Sequence, residues 1–326
     1  MKPTPDLYQS VTNQIIAALE AGTPPWTCPW QRSHGSMLPA NLATARAYRG
    51  INVLLLNLQQ MAHGYALNRW LTFQQARGLG GCVRRGETGT PIVFFKLLER
   101  DGATSGAAPV VRHAANDTPG RKVIPLLRSF TVFNAAQVDG LPSDLTAVPA
   151  PPEGWSPVAA AEELLAHSGA VLRHGGEQAF YRPSDDIIQL PLPAVFPQAS
   201  RYYNTALHEL THWTSHPNRC NRVLSSRTHL EAYAFEELVA EMGSAFLSSH
   251  CGLPSELQHA SYIANWLQAL RNDKRLIFNA ASLAQKAADY LLPPQLQEAV
   301  ATTAPTTAPA VATTAAPISQ VVSITA

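Results

Sequence analysis

Apolar positions recur at helical spacing near the start of the chain. Leu7, Val11, Ile15, Ile16 and Leu19 line one face of a segment running from Asp6 to Ala21, which predicts an amphipathic helix ended by Gly22 and a Pro-Pro turn. Ile51 to Met61 is apolar enough for a buried helix, and Trp70 to Phe73 leads into a second, short one. Beyond Gly80-Gly81 the period changes: Cys82 to Arg85, Pro91 to Lys96 and Val123 to Asn134 read as strands, with Gly86 to Gly89 as a tight turn. Together these elements predict a small α+β domain.

The second half shows different punctuation. The Pro-rich stretch Leu141 to Gly154 reads as extended, which places an inter-domain linker at about 143–156. Ala179 to Leu190 alternates and reads as a strand or hairpin, an edge that can pair with an extended peptide or serve structure alone; Tyr181 and Arg182 on it are within conceivable reach of a substrate. Tyr202 to Ser215 lacks Pro and Gly, and Ala206, Leu207, Leu210 and Trp213 mark a helix that Pro217 stops. Tyr233 to Leu247 supplies another. From Pro293 onward Ala, Thr, Pro and Val dominate, too little for a core, so 293–326 reads as a disordered tail. The expected architecture is α+β in two domains, 1–142 and 157–292.

Composition narrows the function classes. Among 326 residues, 46% hydrophobic, no apolar run of 18 residues occurs, and the N-terminus has no secretory pattern. The expectation is a cytoplasmic protein with no membrane partner. Cys28, Cys82, Cys220 and Cys251 form no CxxC pair, against a disulfide framework or thiolate zinc knuckle. Residues 1–150 hold 14 Lys and Arg against 8 Asp and Glu, or +6, whereas 151–326 hold 10 against 15, or −5. The halves are therefore expected to meet different partners.

The chemistry concentrates in His208-Glu209-Leu210-Thr211-His212. A helix puts residues four apart on one face, so both imidazoles can grip one metal ion, with Glu209 placed to take a proton from water as general base. Random placement of 11 His and the glutamates would give HExxH about 0.02 times in such a chain. The third ligand decides the class. A metzincin would need Gly and His at Ser215 and Asn218, and both are absent; a glutamate on the next helix is the alternative, from Glu236, Glu237 and Glu241. Glu237 is the expected ligand, with Glu241, one turn on, as hydrogen-bond partner to a ligand imidazole. Glu236 falls about 100° away and is expected to face solvent. His216, His229, His250 and His259 are expected to be capping or surface residues. The expected ion is Zn2+ or another divalent cation such as Mn2+.

In the basic half, aromatic and cationic residues interleave: Trp26, Trp30, Arg46, Tyr48, Arg49, Arg69, Trp70, Arg84, Arg85 and Lys96. Stacking on splayed bases of a single strand needs such a mixture, and so does a core with a solvated basic face; composition leaves both open.

Several motifs, in order, carry a resemblance. Asp6-Leu-Tyr-Gln to Gly-Thr-Pro-Pro-Trp26, Tyr48-Arg-Gly-Ile-Asn52, Arg69-Trp-Leu-Thr-Phe73, Arg85-Gly-Glu-Thr-Gly-Thr-Pro91, Phe130-Thr-Val-Phe-Asn134 with Gln137-Val-Asp139, and the HELTHWTSHP segment resemble the ArdC-like antirestriction proteins of conjugative plasmids. The N-terminal part is also similar to the region preceding TraC-type plasmid primases. The resemblance spans residues 5 to about 292 and implies a single-stranded DNA-binding domain joined to a zincin-like metallopeptidase domain. It further implies protection of incoming plasmid DNA from host restriction. Trp26, Tyr48, Arg49, Asn52, Trp70 and Arg85 lie in the matching motifs and are the candidate DNA contacts. The peptidase substrate is unspecified, with a restriction-system component as one candidate. Two functional readings follow: a working metallopeptidase brought to its target by DNA, or a DNA-coating factor whose zincin domain is structural or recruiting. A metal-dependent nuclease is a third.

Overall fold

The structure, a computed structural model, describes residues 6–26, 38–100, 122–147, 157–222, 229–255 and 262–292. The predicted tail and residues 148–156 of the predicted linker lie outside the described residues, as do Cys28, Trp30 and His259, and the Lys96 side chain.

Helix α1 (Leu7–Glu20) starts where Asp6 accepts from the backbone N–H groups of Tyr8 and Gln9 at 3.0 and 3.3 Å, and it buries Val11, Ile15, Ala18 and Leu19. β1 (Ala40–Asn41) is followed by α2 (Ile51–His63), whose consecutive buried Val53, Leu54, Leu55 and Leu56 show that it is covered on several sides. Its C-cap Gly64 adopts φ 62°, a left-handed turn that glycine enters without a Cβ clash. Next come β2 (Arg69–Leu71), α3 (Phe73–Gly78) behind a capping box of Thr72 and Gln75, β3 (Cys82–Val83), β4 (Thr90–Arg100), β5 (Lys122–Asn134), β6 (Val138–Asp139) and α4 (Ser143–Thr146). The principal N-terminal sheet runs β1-β2-β5-β4, and β4 and β5 form a long antiparallel hairpin from Thr90↔Val132 to Arg100↔Lys122.

The C-terminal unit contains α5 (Pro157–Ser168), β7 (Val171–His174), β8 (Phe180–Arg182), β9 (Ile187–Leu190), α6 (Ala199–Trp213), α7 (His229–Cys251), α8 (Ile263–Asn272) and α9 (Leu276–Leu291). Its sheet is ordered β7-β9-β8, with β8 antiparallel on the edge, and Asp186 turns the β8–β9 hairpin at φ 52°. Arg219, beyond the end of α6, ties that hairpin down. It donates to Asp186 through both terminal nitrogens at 3.0 and 2.6 Å, donates to the Tyr181 hydroxyl at 3.0 Å, and lies over the Trp213 ring at 3.7 Å. Tyr181 thus serves the hairpin.

α6 and α7 press together because α7 has a glycine where they meet. A Cβ at Gly243 would stand 2.4 Å from Thr211 Cγ2, so any larger residue would push apart the two helices that carry the predicted ligands. On α9 a stripe of Ala280, Ala281, Ala284, Ala287 and Ala288 is buried.

The largest buried cluster draws on both predicted halves, while two smaller ones, around Trp70 and around Leu71, lie within the N-terminal unit. Ile15, Leu19, Trp26, Val53 and Leu54 belong to the same buried cluster as Leu207, Leu210, Leu238, Ile277 and Ala281. Polar bonds cross the same boundary: Thr12 Oγ1 donates to the Lys274 carbonyl at 2.8 Å, Gly50 N–H to Gln285 Oε1 at 2.9 Å, and Ser255 Oγ to the Trp26 carbonyl at 2.9 Å. Cys82, Cys220 and Cys251 are free thiols. Among the described residues no helix is long and apolar enough to cross a membrane.

Candidate metal centre

His208 and His212 lie one turn apart on α6, and their Nε2 atoms come within 3.2 Å of each other. The Glu237 carboxylate reaches the same point from α7, with Oε2 3.5 Å from His208 Nε2 and Oε1 3.6 Å from His212 Nε2. One ligand atom from each residue lies within 4.8 Å of the others. Ligand atoms about 2.1 Å from a tetrahedral ion stand about 3.4 Å apart, so the spacing and the two-imidazole, one-carboxylate donor set fit a divalent cation. Glu209, on the same turn, is buried, and its charge contributes to stabilising a charged His212.

The local electrostatics point the same way. Burial is the largest influence on Glu237 and opposes its ionisation, yet hydrogen bonds from His208 and then His212 outweigh it and hold the carboxyl well below the usual range. Burial likewise disfavours a charged His212, but its bonds to Glu236 and then Glu237 prevail and raise the ring to about 10. Without a metal, a proton held on the His212 ring by the neighbouring carboxylates stands in for the positive charge of a cation.

Glu236 corrects the sequence expectation. It does not face solvent: Oε1 lies 3.3 Å from His212 Nδ1, and the carboxylate accepts from Arg222. A carboxylate bond to a ligand imidazole, the kind expected of Glu241, is made to His212 by Glu236. Glu241 is buried one turn beyond Glu237. Sequence reasoning also missed Arg222 and Tyr233. Tyr233 is half exposed one turn before Glu237; a hydrogen bond with Tyr262, followed by burial and the Glu237 charge, raises its hydroxyl above the ordinary range. Its spacing of four residues from Glu237 was the one available signal.

The N-terminal candidates scatter. Trp70 is 0% exposed, packs with Leu56 and Val132, and donates Nε1–H to Asn68 Oδ1 at 2.8 Å. Trp26 is 2% exposed against Trp266 at a ring separation of 5.8 Å. Neither ring is available to stack on a base in this fold: Trp70 fills a small cluster inside the N-terminal unit, and Trp26 belongs to the core that both halves build. Asn52 extends the edge of β4, donating to the Val93 carbonyl and accepting from its N–H, both at 2.8 Å. Arg49 forms an ion pair with Asp289 of α9. Tyr48 is half-buried, its hydroxyl raised by burial and accepting from Asn41 at 3.3 Å. Arg85 is exposed.

Known proteins share this fold. A family model for the N-terminal domain of the anti-restriction factor ArdC matches residues 5–133, and one for a zincin-like metallopeptidase matches residues 159–283. The metal-free crystal structure of the antirestriction ArdC protein from plasmid R388 is 43% identical and superposes with a TM-score of 0.70, covering 90% of this chain and 98% of that one. The chain belongs to the ArdC antirestriction family. The Mn(II)-bound form of the R388 protein matches with a TM-score of 0.68 at 41% identity, over 92% of this chain and 100% of that one. Protein y4eC of Sinorhizobium fredii is 42% identical over 290 residues, 88% of this chain and 91% of its own length. The DNA primase TraC of Escherichia coli is 43% identical over 292 residues, 87% of this chain, but the match spans only 27% of the primase. The ArdC-like architecture is thus also found as a segment of a much longer protein.

Proposed function

We propose that this ArdC-family chain binds single-stranded DNA entering during plasmid conjugation, in the cytoplasm, and hydrolyses peptide bonds at a divalent-metal centre. The observation that carries the enzymatic half is the convergence of His208, His212 and Glu237 at tetrahedral separations beside Glu209. Zn2+ fits this donor set, and the Mn(II)-bound relative supports Mn2+ as the alternative. When bound, the cation would supply Lewis-acid activation of water and of the scissile carbonyl. Glu209 accepts the proton of the attacking water and returns it to the leaving amine, while Glu241, one turn beyond Glu237, is proposed as a supporting residue. β8, one of the two edge strands of the second sheet, is the element on which an extended peptide would add a strand. The proposed substrate is a protein, with a restriction-system component as the candidate.

Glu209→Gln tests this directly. Zinc content and melting temperature should match the unsubstituted protein, while hydrolysis of an unfolded protein substrate falls about 10²–10⁴-fold. Undiminished hydrolysis would remove Glu209 from the role.

With both tryptophans in the core, the surface we propose for DNA is the cleft between the two units. This cavity of about 640 Å³ is flanked by Arg49, Arg275, Lys286, Tyr8 and Phe278. Exposed Arg275 and Lys286 offer charge to phosphates, and Arg275 lies over the Tyr8 ring at 5.3 Å, next to Phe278. Fluorescence anisotropy of the full chain should show tighter binding to single strands than to duplex, weakening as salt rises and on Arg275→Glu with Lys286→Glu.

The shared core favours a second reading, in which the zincin unit is structurally indispensable and its hydrolysis is not. Full protection of unmodified DNA by Glu209→Gln in a restricting recipient would support it.

A further inference from the structure

We infer that Arg222 is a positioning residue for the metal centre: acting through Glu236, it fixes the His212 ring and thereby sets the affinity for the divalent ion. This rests on the metal reading above. The Arg222 side chain is 1% exposed, although it sits in the loop after α6 and carries a full charge. Its donors are committed. Nε donates to Glu236 Oε2 at 3.1 Å and Nη2 to Glu236 Oε1 at 2.5 Å, so the guanidinium grips the carboxylate as a fork. Nη2 also donates to the Thr211 carbonyl at 2.7 Å, and Nη1 to Thr214 Oγ1 at 2.6 Å. Thr211 lies within the HExxH turn. Arg222 therefore holds at once the backbone of the helix that bears the two histidines and the carboxylate, from the other helix, that meets His212 Nδ1.

Packing alone does not explain this arrangement, since an apolar side chain of similar size would fill the space without the desolvation penalty of a buried cation. The loop is built to deliver the charge. Cys220 N–H closes back on the Thr214 carbonyl at 2.9 Å, Asn221 turns through φ 48°, and Arg222 N–H bonds the Ser215 carbonyl at 3.0 Å. An imidazole whose Nδ1–H is held by a carboxylate presents the Nε2 lone pair in a fixed direction, and Nε2 is the atom facing His208 and Glu237. Held on its far side by the arginine fork, Glu236 cannot rotate off the ring.

The test is Zn2+ affinity of the full chain by chelator competition, alongside thermal melts of the metal-free proteins and the visible absorption of Co2+-loaded forms, which reports ligand geometry. Glu236→Gln should weaken Zn2+ binding about 10–100-fold and alter the Co2+ bands. Arg222→Met should weaken it comparably, Arg222→Lys less, and the double variant Arg222→Met with Glu236→Gln no more than the worse single one, because both act through one ring. Losses that multiply in the double variant, or folded single variants that bind Zn2+ as tightly as the unsubstituted chain, would overturn the inference and leave the metal reading intact. If the unsubstituted chain bound no Zn2+ or Mn2+, the metal reading would fail and the inference with it. Should Arg222→Met fail to fold, Glu236→Gln and Arg222→Lys carry the test.

Discussion

The HExxH turn and the N-terminal motifs were both selected as functional from residue types, and the fold treats them in opposite ways. Around the metal centre it draws the selected side chains together: two imidazoles and a carboxylate from a second helix share a pocket, and Arg222 and Glu236 hold one of the rings from behind. In the N-terminal unit it sends them apart, with Trp26 and Trp70 in the core, Asn52 on a strand edge, Arg49 at the junction with α9 and Arg85 on the surface. A motif with fixed spacing on one helix carries its own geometry, whereas an aromatic-basic composition does not say which way any ring points.

The largest effect that separates the two regions is Trp70→Ala, expected to destabilise the protein by about 3–5 kcal/mol as a fully buried aromatic is lost. Urea unfolding measures it. A variant as stable as the parent but defective in DNA binding would return Trp70 to the surface and break the contrast.

Next in size is Gly243→Ala. It forces α7 away from Thr211, at about 1–3 kcal/mol of stability, and weakens Zn2+ binding because Glu237 moves with the helix. A stable variant with unchanged zinc affinity would show that the helix contact does not position the ligand.

pH sharpens the electrostatic side. With the His212 ring raised from 6.5 to about 10 in the metal-free protein, its contribution to stability is complete below pH 6.5 and disappears as pH rises toward 10. Glu236 and Glu237 are depressed below 4.5, so their contributions hold above that pH and are lost on acidification. Melting temperatures from pH 6.5 to 10 should fall for metal-free protein and not for the zinc-loaded form, where the cation replaces the proton. Identical profiles would remove His212 from the ligand set.

The smallest expected change is Arg49→Ala. Its ion pair with Asp289 is about 30% exposed, so its loss should alter stability by no more than about 1 kcal/mol, less at high salt. A larger loss would show that the junction between the units depends on this pair, and a loss of DNA affinity alone would assign Arg49 to the cleft.

Much of the local structure was legible in the sequence. The predicted helix from Asp6 to Ala21 corresponds to α1 with its two caps, the predicted strand from Val123 to Asn134 to β5, and the 179–190 segment to the β8–β9 hairpin. α5, α8 and α9 were not assigned, since alanine-rich faces such as that of α9 give little hydrophobic contrast even when they are fully buried. Arg222 was illegible for another reason: it lies ten residues from His212 and fourteen from Glu236, and no periodicity links positions in different elements.

By itself the sequence determined which two imidazoles share one helix face, because 3.6 residues per turn converts His208-x-x-x-His212 into a shared face before any tertiary contact forms. Only the tertiary structure decided which α7 glutamate meets which imidazole, that a buried arginine stands behind them, and that the N-terminal tryptophans serve the core. Those outcomes depend on the approach of α7 to α6 across Gly243, on the hydrophobic cluster spanning both halves that takes Trp26 and on the N-terminal cluster that takes Trp70, and long-range packing of this kind leaves no fixed spacing along the chain.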